Sequence, residues 1–257
     1  MCDRPPAPGV GSRSMLRAVF FDLYGTLVTI STDEDAPETS AAFERWVAEH
    51  LGPAAAAREH ARPFLAELRA IRPFPVEHAE PDIAPVVEAH LARLLERRPS
   101  QAECRAMAAA FRAASRRALD LIPGAREALA QLRARYRVGL ISNAQLLFTR
   151  PELETIGLSL TDFDPALISS ELGVRKPSRH LFGEALQRAG VTAREALYVG
   201  NDPLDDVQGA AGAGLFTCLV DDPRRADDGP LTPDLRLRSV ADLPRALLGP
   251  DVPEWAR

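Results

Sequence analysis

The chain has 257 residues, 46% of them hydrophobic and 26% charged, which suits one large α/β domain or a core domain with a smaller partner and excludes a disordered chain. Its 31 basic and 36 acidic residues give a net charge of −5, which argues against a dedicated nucleic-acid binder, and no apolar run is long enough to span a membrane. The three cysteines, Cys2, Cys104 and Cys218, share no C-x-x-C spacing, so a disulfide scaffold and a structural zinc site are not expected, and a reducing, cytoplasmic setting is.

Residues 1–14 are rich in Pro, Gly and Ser and read as a disordered tail, with Met15 standing just before the first strand as an alternative start. Residues 17–21 (RAVFF) form a short β-branched and aromatic run that predicts a buried strand ending at Asp22. Similar strands are predicted over 137–141, 166–169, 196–199 and 215–220, with a weaker one over 235–238. Helical periodicity lies between them, over 124–135 (Ala128, Leu129, Leu132) and 178–189 (Leu181, Phe182, Ala185, Leu186). Strands alternating with amphipathic helices predict a parallel sheet covered on both faces.

The stretch from 31 to 120 differs: it offers no convincing strand but four apolar stripes at helical spacing. They run through Phe43, Trp46, Val47 and Leu51; Phe64, Leu65, Leu68 and Ile71; Ile83, Val87, Leu91, Leu94 and Leu95; and Cys104, Met107, Ala108 and Phe111. The last helix opens with a capping box, Ser100 to Glu103. These stripes predict a small helical bundle inserted after the first strand, placed to act as a lid. The expected division is a core made of 15–30 and 121–248, a helical domain over 31–120, and a C-terminal tail over 249–257 that carries Trp255.

Of the 31 basic residues a single one is lysine, Lys176. Arginine's planar fork does not replace a compact ammonium, so a lone lysine raises the question of what it does. Four polar points follow predicted strands, where open α/β sheets bind ligands: Asp22 to Thr26, Ser142-Asn143, Lys176-Pro177, and Gly200 to Asp206.

In their order and content the segments FFDLYGTL (20–27), LISNA (140–144), GVRKP (173–177) and YVGNDPLDDVQGA (198–210) resemble the haloacid dehalogenase-like hydrolase superfamily. The resemblance covers most of 16–248 and implies a Rossmann-like α/β core with the 31–120 insertion as a helical cap. It implies Asp22, Lys176 and Tyr24 at the catalytic centre, with Asp22 the nucleophile that forms an aspartyl ester later cut by water. Lys176 would neutralise the nucleophile and an incoming anion. Thr26, Ser142, Asn143 and Asn201 are the expected contacts of a small anionic substrate. Asp22, Tyr24, Asp202 and Asp206 form the expected Mg²⁺ set, Asp202 and Asp206 through oxygen ligands, although a helix N-terminus also welcomes such carboxylates. Asp205 reads as solvent-facing.

Two positions depart from the phosphatase form of that family. Its general acid, two residues after the nucleophile, is here Tyr24, and its usual first acidic residue of the fourth segment is here Asn201. An alkoxide leaving group needs a proton, worth about 10²- to 10⁴-fold in rate, and a tyrosine of ordinary pKa is a poor acid for it. A Mg²⁺-dependent phosphatase that prefers good leaving groups is therefore the leading expectation. The alternative is a metal-independent 2-haloacid dehalogenase, since a halide leaves without a proton and Tyr24 resembles the tyrosine of those enzymes. Their cap arginine has candidates in Arg45, Arg58 and Arg62, whereas Phe182 stands where they carry tyrosine. A third reading is a non-catalytic binding module, which has no reason to keep both Asp22 and Lys176. The many arginines of the insertion, Arg72 and Arg112 among them, read mostly as a solvated face, and the five histidines show no metal-ligand spacing.

Overall fold

A computed structural model describes residues 16–71, 77–221 and 232–257; the expected tail over 1–14 and Arg72 lie outside the described residues. The chain enters through β1 (Ala18–Phe21) and turns into β2 (Val28–Thr32). Five helices follow: α1 (Pro37–Leu51), α2 (Pro53–Ala61), α3 (Phe64–Ala70), α4 (Ala84–Leu95) and α5 (Gln101–Ser115). The path returns along β3 (Arg116–Leu121), then α6 (Ala125–Arg133), β4 (Arg137–Ser142), α7 (Leu146–Thr155), β5 (Ala166–Ile168), α8 (Ser169–Leu172) and α9 (Arg179–Ala189). It closes with β6 (Ala196–Gly200), a π-helical turn over Pro203–Gln208, α10 (Gly209–Gly212), β7 (Phe216–Val220), β8 (Leu235–Leu237) and α11 (Leu243–Leu248).

Six strands form one parallel sheet in the order β5-β4-β1-β6-β7-β8. β1 is central, and all four of its residues are buried, as a strand covered on both faces requires. One apolar cluster holds Val19, Phe21, Leu129, Leu140 and Val199. The other holds Ala18, Phe20, Leu181, Phe182 and Tyr198, so alternate residues of β1 serve opposite layers. Because β1 lies between β4 and β6, the C-terminal ends of three strands meet in one crevice. This α/β, Rossmann-like arrangement places Asp22, Ser142 and the loop after Gly200 side by side.

The helices α1 to α5 share a separate core built on Phe43, Val47, Phe64, Val87, Leu91, Met107 and Phe111, with Phe148 of α7 joining it. The Ser100–Glu103 capping box opens α5 as expected, with Glu103 N donating to Ser100 Oγ at 3.2 Å. Within the insertion His90 is fully buried, its ring nitrogens 2.5 Å from Glu59 and 3.0 Å from Glu67.

The structure departs from expectation in three places. β2 and β3 pair antiparallel, Val28 opposite Leu121, and form a ribbon that joins the insertion to the core. α2 (PAAAAREHA) is a fifth helix without a strong apolar stripe. The C-terminus is not loose: Trp255 stacks on Phe216 with ring centroids 4.5 Å apart, and Ala256 is buried.

Candidate active site

Asp22 follows the last residue of β1, its backbone N–H bonded to Val199 O at 2.9 Å. The residue is 6% exposed, and Oδ1 accepts a hydrogen bond from Lys176 Nζ at 2.6 Å. The same ammonium donates to Asp206 Oδ1 at 2.7 Å and to the Tyr198 hydroxyl at 2.9 Å. The lone lysine is thus buried and fully committed, with two carboxylates and a phenol around it. The Tyr198 hydroxyl in turn lies 2.9 Å from Ile141 O, and its ring packs edge-on against Phe182.

The charges respond to this burial. Desolvation is the strongest influence on Asp22 and, helped by Asp206 and opposed by Lys176, lifts its carboxyl to about 6. Burial works against the Lys176 charge, but Asp206 and Asp22 outweigh it and hold the ammonium above the ordinary lysine range. Burial, and then Asp206, keep the Tyr198 phenol protonated well beyond its usual range. A carboxylate that ionises near neutrality beside a permanent ammonium is a usable nucleophile: the cation offsets its charge when an anionic substrate approaches.

The remaining predicted residues divide. Ser142 Oγ is buried with no partner, an orphan hydroxyl on the strand beside the nucleophile. Thr26 is fully buried and donates to Asn201 Oδ1 at 3.3 Å. Gly25 at φ +92° lets that contact form, because a Cβ there would overlap the Asn201 amide. Asn143 grips the backbone of Lys176 on both sides: its Oδ1 accepts from Lys176 N at 2.7 Å and its Nδ2 donates to Lys176 O at 3.2 Å. Its role here is to hold the lysine, not to face a ligand.

Tyr24 is committed elsewhere. Its hydroxyl donates to Glu152 of α7 and lies 3.2 Å from Thr149 Oγ1. Burial, followed by the Glu152 charge, pushes the phenol far above its ordinary range, so it keeps its proton. Glu152 is itself buried and pairs with Arg112 Nε of α5 at 2.6 Å. Arg112, read from sequence as part of a solvated face, is instead a plug between insertion and core, lying over the Phe148 ring at 5.0 Å.

Of the expected Mg²⁺ set, Asp22 and Asp206 meet at Lys176 Nζ, whereas the Asp202 carboxylate and the Tyr24 hydroxyl are engaged elsewhere. Asp202 accepts the N–H groups of Leu204 and Asp205 on Oδ1, each at 2.8 Å, and so caps the following helical turn. Asp206 uses Oδ1 for Lys176 and Oδ2 for Asp202 N at 2.8 Å. Asn201 brings an amide where a hard cation favours a carboxylate. Among the described residues no group of three His, Cys, Asp or Glu side chains is placed to hold a metal ion. Mg²⁺ is commonly held by only one or two carboxylates together with water and substrate oxygens, and Asp22 and Asp206 are the pair that would offer them here; the steps below are derived from Lys176.

Several contributors escaped the sequence reading. Tyr198 lies one strand period before Gly200 and reads as plain core. Asp205 is no solvated bystander, since its Oδ2 accepts from Asn143 Nδ2 at 3.0 Å and from Arg175 Nη2 at 3.2 Å. For Glu152 the only available signal is an acid among the apolar residues of a helix.

Comparison with known proteins agrees with this geometry. A haloacid dehalogenase-like hydrolase family model matches residues 16–214. A phosphoserine phosphatase of Thermus thermophilus is 37% identical over 129 residues, 50% of this chain and 51% of that one. The pyrimidine 5'-nucleotidase YjjG of Escherichia coli is 33% identical over 49% of this chain and 56% of its own. The chain thus spans about half the length of these curated relatives. A crystal structure of a 2-haloacid dehalogenase from Pseudomonas syringae pv. Tomato DC3000 superposes with a TM-score of 0.57 at 26% identity, covering 90% of this chain and 97% of that one. Among the described residues no helix is long and apolar enough to cross a membrane. With its parallel sheet, its aspartate at the end of the central strand and its lysine in the third loop, the chain belongs to the haloacid dehalogenase-like hydrolases.

Proposed function

We propose that the chain hydrolyses small phosphorylated substrates with good leaving groups, acyl and aryl phosphates, through an ester on Asp22. The observation that carries this reading is the buried Asp22–Lys176 contact of 2.6 Å at the crevice of the sheet. An Asp22 oxygen bonds to phosphorus while the bond to the leaving group breaks, and that group departs as an anion with its electron pair. Water then attacks phosphorus, the bond to Asp22 breaks, phosphate leaves and a proton passes to solvent. Lys176 offsets the negative charge at both steps. The Ser142 hydroxyl and the Asn201 amide are the groups to hold substrate oxygens. Tyr24, its proton committed to Glu152, supplies none to a departing alkoxide, which is why alkyl esters are poor substrates in this reading. The insertion α1 to α5 serves as the cap, and phosphatase-named relatives support the phosphoryl reading.

Acetyl phosphate and 4-nitrophenyl phosphate against alkyl phosphates, each with Mg²⁺ and with EDTA, form the test. Turnover of the first two at more than about a hundredfold the alkyl rate is expected, and equal rates sink the leaving-group reasoning. A second reading, a 2-haloacid dehalogenase, draws on the committed Tyr24 and on the Asp202 carboxylate being spent on backbone N–H groups. Chloride release from L-2-chloropropionate in EDTA supports it, and no release removes it.

A further inference from the structure

The insertion touches the core not only through Arg112 but through a short strap, residues 78–83, which meets residues 173–175, one to three positions before Lys176. Arg175 N donates to His78 O at 2.8 Å and Glu80 N donates to Gly173 O at 3.0 Å, so Ala79 pairs with Val174 as a one-rung antiparallel bridge. Gln145, just past the Ser142-Asn143 turn, clasps the strap. Its Nε2 donates to Glu80 Oε1 at 2.8 Å and to Pro81 O at 2.9 Å, and its Oε1 accepts from Ile83 N at 3.1 Å. Arg175 then stands between the strap and the site: it lies 4.0 Å from Glu80 and 3.2 Å from Asp205. Asp205 holds Asn143, and Asn143 grips both backbone groups of Lys176.

We propose that the strap sets the lysine: Gln145, Glu80, Arg175 and Asp205 are positioning residues that hold Lys176 between Asp22 and Asp206 only while residues 78–83 are seated on 173–175. Every connection in this chain is a hydrogen bond or ion pair between neighbours, and its far end is the backbone of the residue that neutralises the nucleophile. The seated strap fixes the backbone from which the ammonium reaches Asp22 and Asp206. A lifted strap frees the 173–176 loop and leaves Asp22 without a fixed counter-ion.

This inference rests on the reading of Lys176 as the nucleophile's counter-ion, but its test needs no turnover. Because Lys176 is the chain's single lysine, amine acetylation reports on it without ambiguity, with the α-amine as internal reference. The full chain and its Gln145→Ala variant are treated with N-hydroxysuccinimidyl acetate, and Lys176 acetylation is read by peptide mass spectrometry. In the wild type the side chain is 3% exposed and is expected to label slowly. Loss of the three Gln145 contacts is expected to speed labelling by about tenfold while the unfolding midpoint barely moves. Should Gln145→Ala fail to fold, Glu80→Gln, which removes the charge facing Arg175 and keeps an oxygen for Gln145, gives a smaller increase by the same readout. Labelling no faster than wild type in a folded variant overturns the proposal. An increase confined to variants that have lost global stability overturns it as well, because the lysine would then follow unfolding and not the strap.

Discussion

Replacing Lys176 by methionine keeps an apolar stem of similar length and removes only the ammonium. Asp22 Oδ1, Asp206 Oδ1 and the Tyr198 hydroxyl, now 2.6, 2.7 and 2.9 Å from Nζ, lose their shared donor. Two buried carboxylates then face each other without a cation, and breaking such a pair from one side costs about 3–5 kcal/mol. The cost depends on pH in a definite direction. In the wild type the Asp22 carboxyl is raised from 3.8 to about 6, so its contribution to stability falls as pH rises across that window and is flat above it. Without Lys176 the influence that lowers the Asp22 pKa is gone, while burial and Asp206 remain. The folded variant therefore holds a proton that the unfolded chain releases, and its stability keeps falling by about 1.4 kcal/mol per pH unit above the wild-type limit. Urea unfolding followed by circular dichroism at about pH 5.5 and about pH 8 measures the difference, which is expected to widen by roughly 2–3 kcal/mol at the higher pH. A penalty that is the same at both pH values, or below about 1 kcal/mol at the higher one, refutes the reasoning.

Two further outcomes follow from the same electrostatics. The acid limb of kcat/KM is expected near pH 6, since Asp22 must ionise to attack, and Asp206→Asn should move it to lower pH by removing a charge that raises the Asp22 carboxyl. A limb that stays in place or moves upward in a pH–rate profile contradicts that assignment. In the insertion, His90→Leu removes the ring that meets Glu59 Oε2, while Glu67 keeps Arg62 and Arg93 and Glu59 keeps Phe64 N, and it should cost about 1–3 kcal/mol in urea unfolding. A loss below about 1 kcal/mol would mean that water reaches those carboxylates.

What sequence could tell depended on whether the signal was local. β1, β4 and β6 are short apolar runs that can only be buried, and their ends marked Asp22, Ser142 and the 200–206 loop without any long-range knowledge. The ribbon β2–β3 was illegible for the opposite reason. Arg116–Leu121 (RRALDL) continues directly from α5 in good helix formers, and only pairing with Val28–Thr32 turns it into a strand. α2 hides in an alanine run whose helix comes from propensity, not from an apolar stripe. Trp255 looked peripheral because its partner, Phe216, lies 39 residues away in sequence.

The same distinction separates the two halves of the site. Asp22 could be proposed from its place after a strand, and Lys176 from its place in a loop and its being the chain's single lysine. The proton inventory could not, because it is set by partners distant in sequence. Tyr24 occupies the position of a general acid, yet its function follows from Glu152, 128 residues on, which in turn answers to Arg112 of the insertion. A tyrosine there with a free hydroxyl would leave a weak acid aimed at the substrate. A tyrosine tied to a buried carboxylate that already pairs with an arginine is a fixed strut between α5, α7 and the loop that carries the nucleophile. In the reading proposed above, such a strut goes with a leaving group that departs unprotonated, and comparing acyl and aryl with alkyl phosphates puts that inference to the test.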